Sequence, residues 1–203
     1  MKFKIERVGS DGEGIAYYNK KPVYIYYTYL NEEVEAELFT NKRGAFEANL
    51  KEVIIPSKYR REVTWPYYMQ SGSVNLLHLN YNEQLKYKRD VVNFLLVTKL
   101  KKETKNTKIE LTVPSDDELY YRNKSDIPLI TINNKNHIAN YLRGSNQLFP
   151  VDELIVEDKV IEKTAKLVVA LMDKHKVYAY NPKTRKGSII NLSIRVNNKG
   201  EVQ

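Results

Sequence analysis

Cysteine is absent from the 203 residues, so no disulfide, thiolate metal site or cysteine nucleophile can be built from this chain. Histidine is scarce: only His78, His137 and His175 occur, which argues against a histidine-rich metal centre. Long apolar runs are also missing. Stretches such as Phe94-Leu95-Leu96-Val97 fall far short of the roughly 20 residues that span a bilayer. The opening MKFKIERVGSDGEG has no apolar segment behind its positive charges and is not a secretory signal. These absences predict a soluble, cytoplasmic protein with no membrane partner. There is no internal repeat, no low-complexity segment, and no Gly-x-Gly-x-x-Gly following a strand-like run.

What is present is globular: 42% apolar and 29% charged residues suffice for a buried core under a polar surface. The formal charge of +8 favours a polyanionic partner. It is unevenly placed. Residues 1–57 carry eight Lys/Arg and nine Asp/Glu, so the excess lies wholly in the remainder, at +9. The basic residues cluster at Lys58/Arg60/Arg61, from Lys99 to Lys108 and from Lys174 to Lys186. Pro56-Ser57 marks a boundary by both charge and loop chemistry.

Residues 1–57 read as five short strands, 2–8, 14–18, 22–29, 33–40 and 44–55. Turn clusters at 9–12, 19–21, 30–32 and 41–44 separate them. Such spacing predicts a five-stranded OB-like barrel, with Val34, Ala36 and Leu38 inward against Glu33, Glu35 and Glu37. A helix is predicted over 84–102, capped by Asn82, with Leu85, Val91, Val92, Leu95, Leu96 and Leu100 as its apolar stripe. A second helix is predicted over 158–174. Strands are predicted at 108–113, 118–124, 128–133, 137–143, 177–180 and 188–196, followed by a hairpin turn at 197–200. Overall this is an α+β chain: a barrel at 1–57, a linker at 58–82, and an α/β domain at 83–203 with a mostly antiparallel sheet and two main helices. A hairpin turn with only three residues after it predicts a fragment of a longer protein.

Several stretches in this order resemble the bacterial RNA 5-methyluridine methyltransferases, the 23S rRNA (uracil-5-)-methyltransferase group. Val8-Gly9-Ser10-Asp11-Gly12-Glu13-Gly14-Ile15-Ala16 resembles the opening of that family's TRAM domain, an RNA-binding barrel. Pro56-Ser57-Lys58-Tyr59-Arg60 resembles its Pro-Ser-x-x-Arg junction, and His78-Leu79-Asn80-Tyr81 with Gln84-Leu85 and Lys88 resembles its His-Leu-x-Tyr-x-x-Gln-Leu-x-x-Lys signature. Tyr121-Arg122-Asn123-Lys124, Arg143-Gly144-Ser145 and Ile190–Arg195 follow in the family's order. The resemblance implies an RNA partner, rRNA or tRNA, and S-adenosylmethionine as cofactor of a full-length enzyme. A monomer is expected.

Two departures stand out. Many family members hold a [4Fe–4S] cluster on four cysteines; by position Trp65, Ser71, Val74 and Leu154 stand in their place, so no iron–sulfur cluster is expected. The family's methyltransferase domain, with its cofactor loop, cysteine nucleophile and acidic base, has no counterpart among these residues. No catalytic, cofactor or metal residue is therefore assigned.

The expected RNA contacts are Arg43 at a hairpin tip, Lys58 and Arg60 in the junction, Arg122 and Lys124 two apart on one strand face, and Arg195. Tyrosines 17, 18, 24, 26, 27 and 29 could stack bases, against the plainer reading that aromatics fill strands. Lys99, Lys101, Lys102, Lys105 and Lys108 read as a solvated helix end and loop. Lys183, Arg185 and Lys186 read first as a solubilising turn and second as an RNA contact. His78 reads as a satisfied structural histidine, and Tyr81 and Gln84 as capping and packing residues. Two rival functions remain: a stand-alone RNA-binding protein that has lost catalysis, and a protein-interaction module using the tyrosine-rich barrel.

Overall fold

The computed structural model describes residues 1–100 and 107–203; Lys101, Lys102 and Lys105 of the expected basic segment lie outside the described residues. The chain divides into two compact units, Met1–Met69 with Ser73–Pro114, and Gln70–Gly72 with Ser115–Gln203.

In the first unit the expected strand at 2–8 is bent into two, β1 (Lys2–Lys4) and β2 (Arg7–Val8). They are followed by β3 (Gly14–Tyr18), β4 (Lys21–Ile25), β5 (Glu33–Thr40) and β6 (Phe46–Ile55). The bend closes the sheet. β1 pairs with β5 and β2 with β3, so one segment supplies both edges of the order β1-β5-β6-β4-β3-β2. At the bend Ile5 N–H donates to the Glu32 carbonyl (2.8 Å) and Glu6 N–H to the Ile15 carbonyl (3.0 Å). β4 and β6 pair in parallel and the other neighbours antiparallel. With β1 and β2 counted as one bent strand, this is the expected five-stranded OB-like barrel, and closure leaves no edge to template aggregation.

Phe3, Ile5, Ala16, Val23, Ile25, Val34, Ala36 and Ala48 fill it. The alternation read on β5 holds: Val34 and Ala36 are buried, Leu38 half-buried, and Glu33, Glu35 and Glu37 exposed. Gly14 is dictated by crowding, since a Cβ there would lie 2.0 Å from the Thr28 hydroxyl oxygen.

The unit does not stop where the barrel strands do. Arg60 bridges to Leu79, and Asn80 N–H donates to the Tyr59 carbonyl (2.9 Å). Helix α1 then runs Tyr81–Lys99, starting earlier than residue 84. Its cap is Asn80 rather than Asn82, because Asn80 Oδ1 accepts the Glu83 N–H at 2.9 Å. Tyr29, Leu79 and Tyr87 form a second cluster that ties the helix to the barrel. Tyr29 donates to Glu83 (2.8 Å) and Tyr87 to the Gly9 carbonyl (2.6 Å). Burial pushes the Tyr87 hydroxyl up to about 12. The helix's apolar stripe, by contrast, is largely solvent-facing in this unit: Val92, Leu95 and Leu100 are each over two-fifths exposed. Only its first turns have a barrel surface to pack on.

The second unit holds a fully antiparallel sheet, β10-β7-β8-β9. Its strands are β7 (Lys124–Ile132), β8 (Lys135–Tyr141), β9 (Leu148–Pro150) and β10 (Asn191–Arg195). Helix α2 (Lys159–Lys174) lies against the sheet, capped by Asp158, whose side chain accepts the Val160 N–H at 2.7 Å. It buries Ile161, Ala165 and Met172, which recur at helical spacing.

Several strand expectations fail for local reasons. β7 begins at Lys124, not 128, and carries Pro128 inside it. Pro128 is opposite Asn191 on β10, while pairing with β8 starts only at Leu129, so no ladder donor is missed. Residues 118–123 form no strand, because Tyr120 sits at φ +58°. Residues 107–113 are irregular, and 177–180 reduce to one bridge, Ala179 to Ile189. β10 is paired along its whole length with β7.

Candidate nucleic-acid interface

The six expected cations meet different fates. Arg60 is committed internally. Its Nε lies 2.5 Å from Glu32 Oε1, and one terminal nitrogen donates to Glu32 Oε2 and to the Tyr27 carbonyl, both at 2.7 Å. Glu32 is fully buried and also accepts the Tyr29 N–H (2.9 Å) and the Ser57 N–H (3.1 Å). The guanidinium expected to contact RNA is thus saturated by a carboxylate of the same unit. Next to it, burial and then the Arg60 charge push the His78 imidazole down to about 3. His78 Nδ1 pairs with the Tyr68 hydroxyl, but its Nε2 is buried with no hydrogen-bond partner among the described residues, so the expected satisfied histidine is satisfied on one nitrogen only.

Arg43 is exposed at the β5–β6 hairpin tip. Asn41 Oδ1 accepts the Arg43 N–H (2.9 Å) and the Ala45 N–H (3.0 Å), which fixes that tip. Lys58 is exposed, its ammonium 5.0 Å from the Tyr59 ring centre. Among the tyrosines, Tyr27 and Tyr29 are core residues and Tyr18 packs against the core edge-on to Phe46. Tyr24 and Tyr26 are half-buried and Tyr17 is exposed. Tyr17 and Tyr24 stay on the outer face of β3 and β4, where Ile15 is opposite Tyr24 and Tyr17 opposite Pro22.

In the second unit Arg122 precedes β7 rather than sharing its face with Lys124, and its guanidinium lies 3.2 Å from Glu157. Lys124 finds a different partner. The β10–β7 register sets Arg195 directly opposite Lys124, both exposed. Like charges directly opposed across a ladder repel, and an anion between them relieves that cost. Spacing in sequence gave no hint of this juxtaposition, because it depends on strand register.

The positions that replace cluster cysteines do not suit iron. Trp65, Ser71 and Leu154 are buried and Val74 half-buried, and none supplies a thiolate. The Trp65 indole N–H has no hydrogen-bond partner among the described residues. Nor do three or more His, Asp or Glu side chains converge among the described residues. No described helix is long and apolar enough to cross a membrane.

Comparison with known proteins supplies the context. No protein-family model matches the chain. It is 33% identical over 200 residues, 98% of its length, to an uncharacterized RNA methyltransferase of Bacillus anthracis. It is 27% identical over 200 residues to one from Streptococcus agalactiae and 32% over 202 residues to one from Listeria innocua, in each case over 98% of its length. Along its whole length the chain is similar to these RNA methyltransferases. It spans less than half of these relatives' length, 43% to 44%. In fold it matches all along its length a Pyrococcus abyssi tRNA (uracil-54, C5)-methyltransferase, solved with S-adenosyl-L-homocysteine, at a TM-score of 0.71 and 19% identity over 44% of that chain. The barrel and the antiparallel α/β unit therefore recur in a methyltransferase at low sequence identity.

Proposed function

We propose that this chain is the RNA-binding portion of an S-adenosylmethionine-dependent RNA (uracil-5-)-methyltransferase acting on rRNA or tRNA. The observation that carries the reading is the similarity to RNA methyltransferases along the whole chain. The surface chemistry fits it. Lys124 and Arg195 offer paired cations on one sheet, and Arg43 offers a third on the barrel. The outer β3–β4 face with Tyr17 and Tyr24 corresponds to where OB-like barrels stack bases. The barrel is the TRAM domain of the resemblance, and affinity comes mainly from phosphate contacts. In the whole enzyme this portion presents a uridine lifted from its stack to a catalytic domain that binds the cofactor. With no cysteine, this chain holds neither an iron–sulfur cluster nor the nucleophile for attack on the uracil ring.

The test is binding of the chain to an RNA stem–loop with a loop uridine, across a salt series. Wild type is expected to bind with a steep salt dependence. Lys124→Ala/Arg195→Ala should flatten the log K versus log salt slope by about 1.5 units, and Arg43→Ala by less than one. Absence of RNA binding at low salt would sink the reading and favour a protein-interaction module. Calorimetry with S-adenosylmethionine should show no binding to this chain.

A further inference from the structure

From Lys174 to Gly200 the sequence has no acidic residue and seven Lys/Arg. Three of them, Lys183, Arg185 and Lys186, sit in a single loop over 181–187 whose residues are all exposed. Within the described residues none of the three forms an ion pair. The loop is tightly built. Asn181 N–H donates to the Lys186 carbonyl and Arg185 N–H to the Asn181 carbonyl, both at 2.8 Å. Asn181 Oδ1 accepts the Lys183 N–H (2.9 Å) and the Thr184 N–H (3.3 Å).

Its base is anchored as well. Gly187 has φ +91°, and a Cβ there would fall 2.2 Å from the Ala179 carbonyl oxygen. Ala179 is buried, and its N–H is held by Thr131 Oγ1 (2.9 Å) and Asn136 Oδ1 (3.0 Å). Asn136 is itself buried and bonded to Asp173 near the end of α2. The loop is therefore rooted in the sheet and the helix together. A turn serving only solubility needs none of this order. Holding three cations together costs repulsion that a polyanion removes, and a preordered loop loses little entropy on binding.

We infer that loop 181–187 is a prebuilt cationic grip for the phosphate backbone of a folded RNA, separate from the Lys124–Arg195 pair. The loop leads into β10 at Asn191, and Arg195 stands at the strand's other end, roughly 14 Å along at the rise of a β-strand. Two grips held apart by a rigid strand suit phosphates fixed in space, as in a stem–loop, better than a limp single strand. This inference rests on the RNA-binding reading above.

The experiment compares four forms of the full chain: wild type, Lys183→Ala/Arg185→Ala/Lys186→Ala, Asn181→Ala, and a charge-matched control, Lys4→Ala/Lys135→Ala/Lys163→Ala. The probes are an RNA stem–loop and an unstructured strand of equal length. The loop triple variant should lose stem–loop affinity at least tenfold at low salt and flatten the salt slope by roughly two units, with the control under about threefold. Asn181→Ala keeps every charge and should still weaken stem–loop binding severalfold, with the slope unchanged. Equal losses for the loop variant and the control would overturn the inference, as would an equal loss on both probes. If wild type binds neither probe, the RNA-binding reading itself fails. If wild type binds and the loop variant matches the control, only the loop assignment falls.

Discussion

Removing the Arg60 guanidinium tests whether its charge serves the fold or a ligand. In the native protein Glu32 is fully buried and accepts four hydrogen bonds, two of them from Arg60. Arg60→Met deletes both charge-assisted bonds and the donor to the Tyr27 carbonyl, and leaves a carboxylate inside the unit without a counter-ion. Breaking a buried pair from one side costs about 3–5 kcal/mol, a third or more of the ~5–15 kcal/mol that holds a typical domain together. For a unit of this size that lowers Tm by about 10 °C or more. Urea unfolding followed by tyrosine and tryptophan fluorescence reads the cost. Adding Glu32→Gln should recover part of it, because the stranded charge is gone, although the amide keeps one oxygen for two backbone donors, Tyr29 N–H and Ser57 N–H, that bond different carboxylate oxygens in the native protein. Unfolding cost under about 1 kcal/mol for Arg60→Met, coupled with a loss of RNA affinity as large as that of Lys124→Ala/Arg195→Ala, would refute the structural assignment.

His78 should impose a pH slope on stability. Its folded-state value, about 3, lies below the ordinary 6.5 of the unfolded chain, so the unfolded state binds the extra proton first. Stability is fully present above about 6.5 and falls as pH drops toward 3, by up to about 1.4 kcal/mol per unit. His78→Phe should remove that slope, and NMR should show no titration of the His78 imidazole between pH 8 and 5 in the folded protein; a His78 midpoint near 6.5 would contradict the burial argument. Trp65→Phe should cost no more than about 1 kcal/mol despite the lost volume, because it also deletes a buried N–H that has no partner among the described residues and carries a penalty of about 1–3 kcal/mol. A loss above about 3 kcal/mol, measured by thermal unfolding, would show that this N–H is satisfied in solution.

Legibility in the sequence followed the range of the interaction. The β5 alternation at Val34 and Ala36 is written in a period of two, and α2 in a period of 3.6. Both were readable, because residues a few positions apart share an environment. The α1 start was missed by three residues because two asparagines compete for one cap, and only the chain's entry from Tyr59 and Leu79 selects Asn80. Pro128 hid half of β7, since a proline is admissible in a strand only where no neighbour needs its N–H, and that depends on where β8 begins to pair.

The same division governs the candidate interface. Composition and order of segments by themselves determined that no thiol chemistry is possible, that the positive excess lies after residue 57, and that an OB-like barrel opens the chain. Charge signs, residue types and short-range periods are local properties. Tertiary structure decided which cations remain available. Arg60 is tied to Glu32 across 28 positions and Arg122 to Glu157 across 35, while strand register brings Lys124 opposite Arg195. Whether a guanidinium meets a buried carboxylate or open water depends on chain segments far apart in sequence. Coulomb energy depends on separation in space and on solvent exposure, which a linear sequence does not specify.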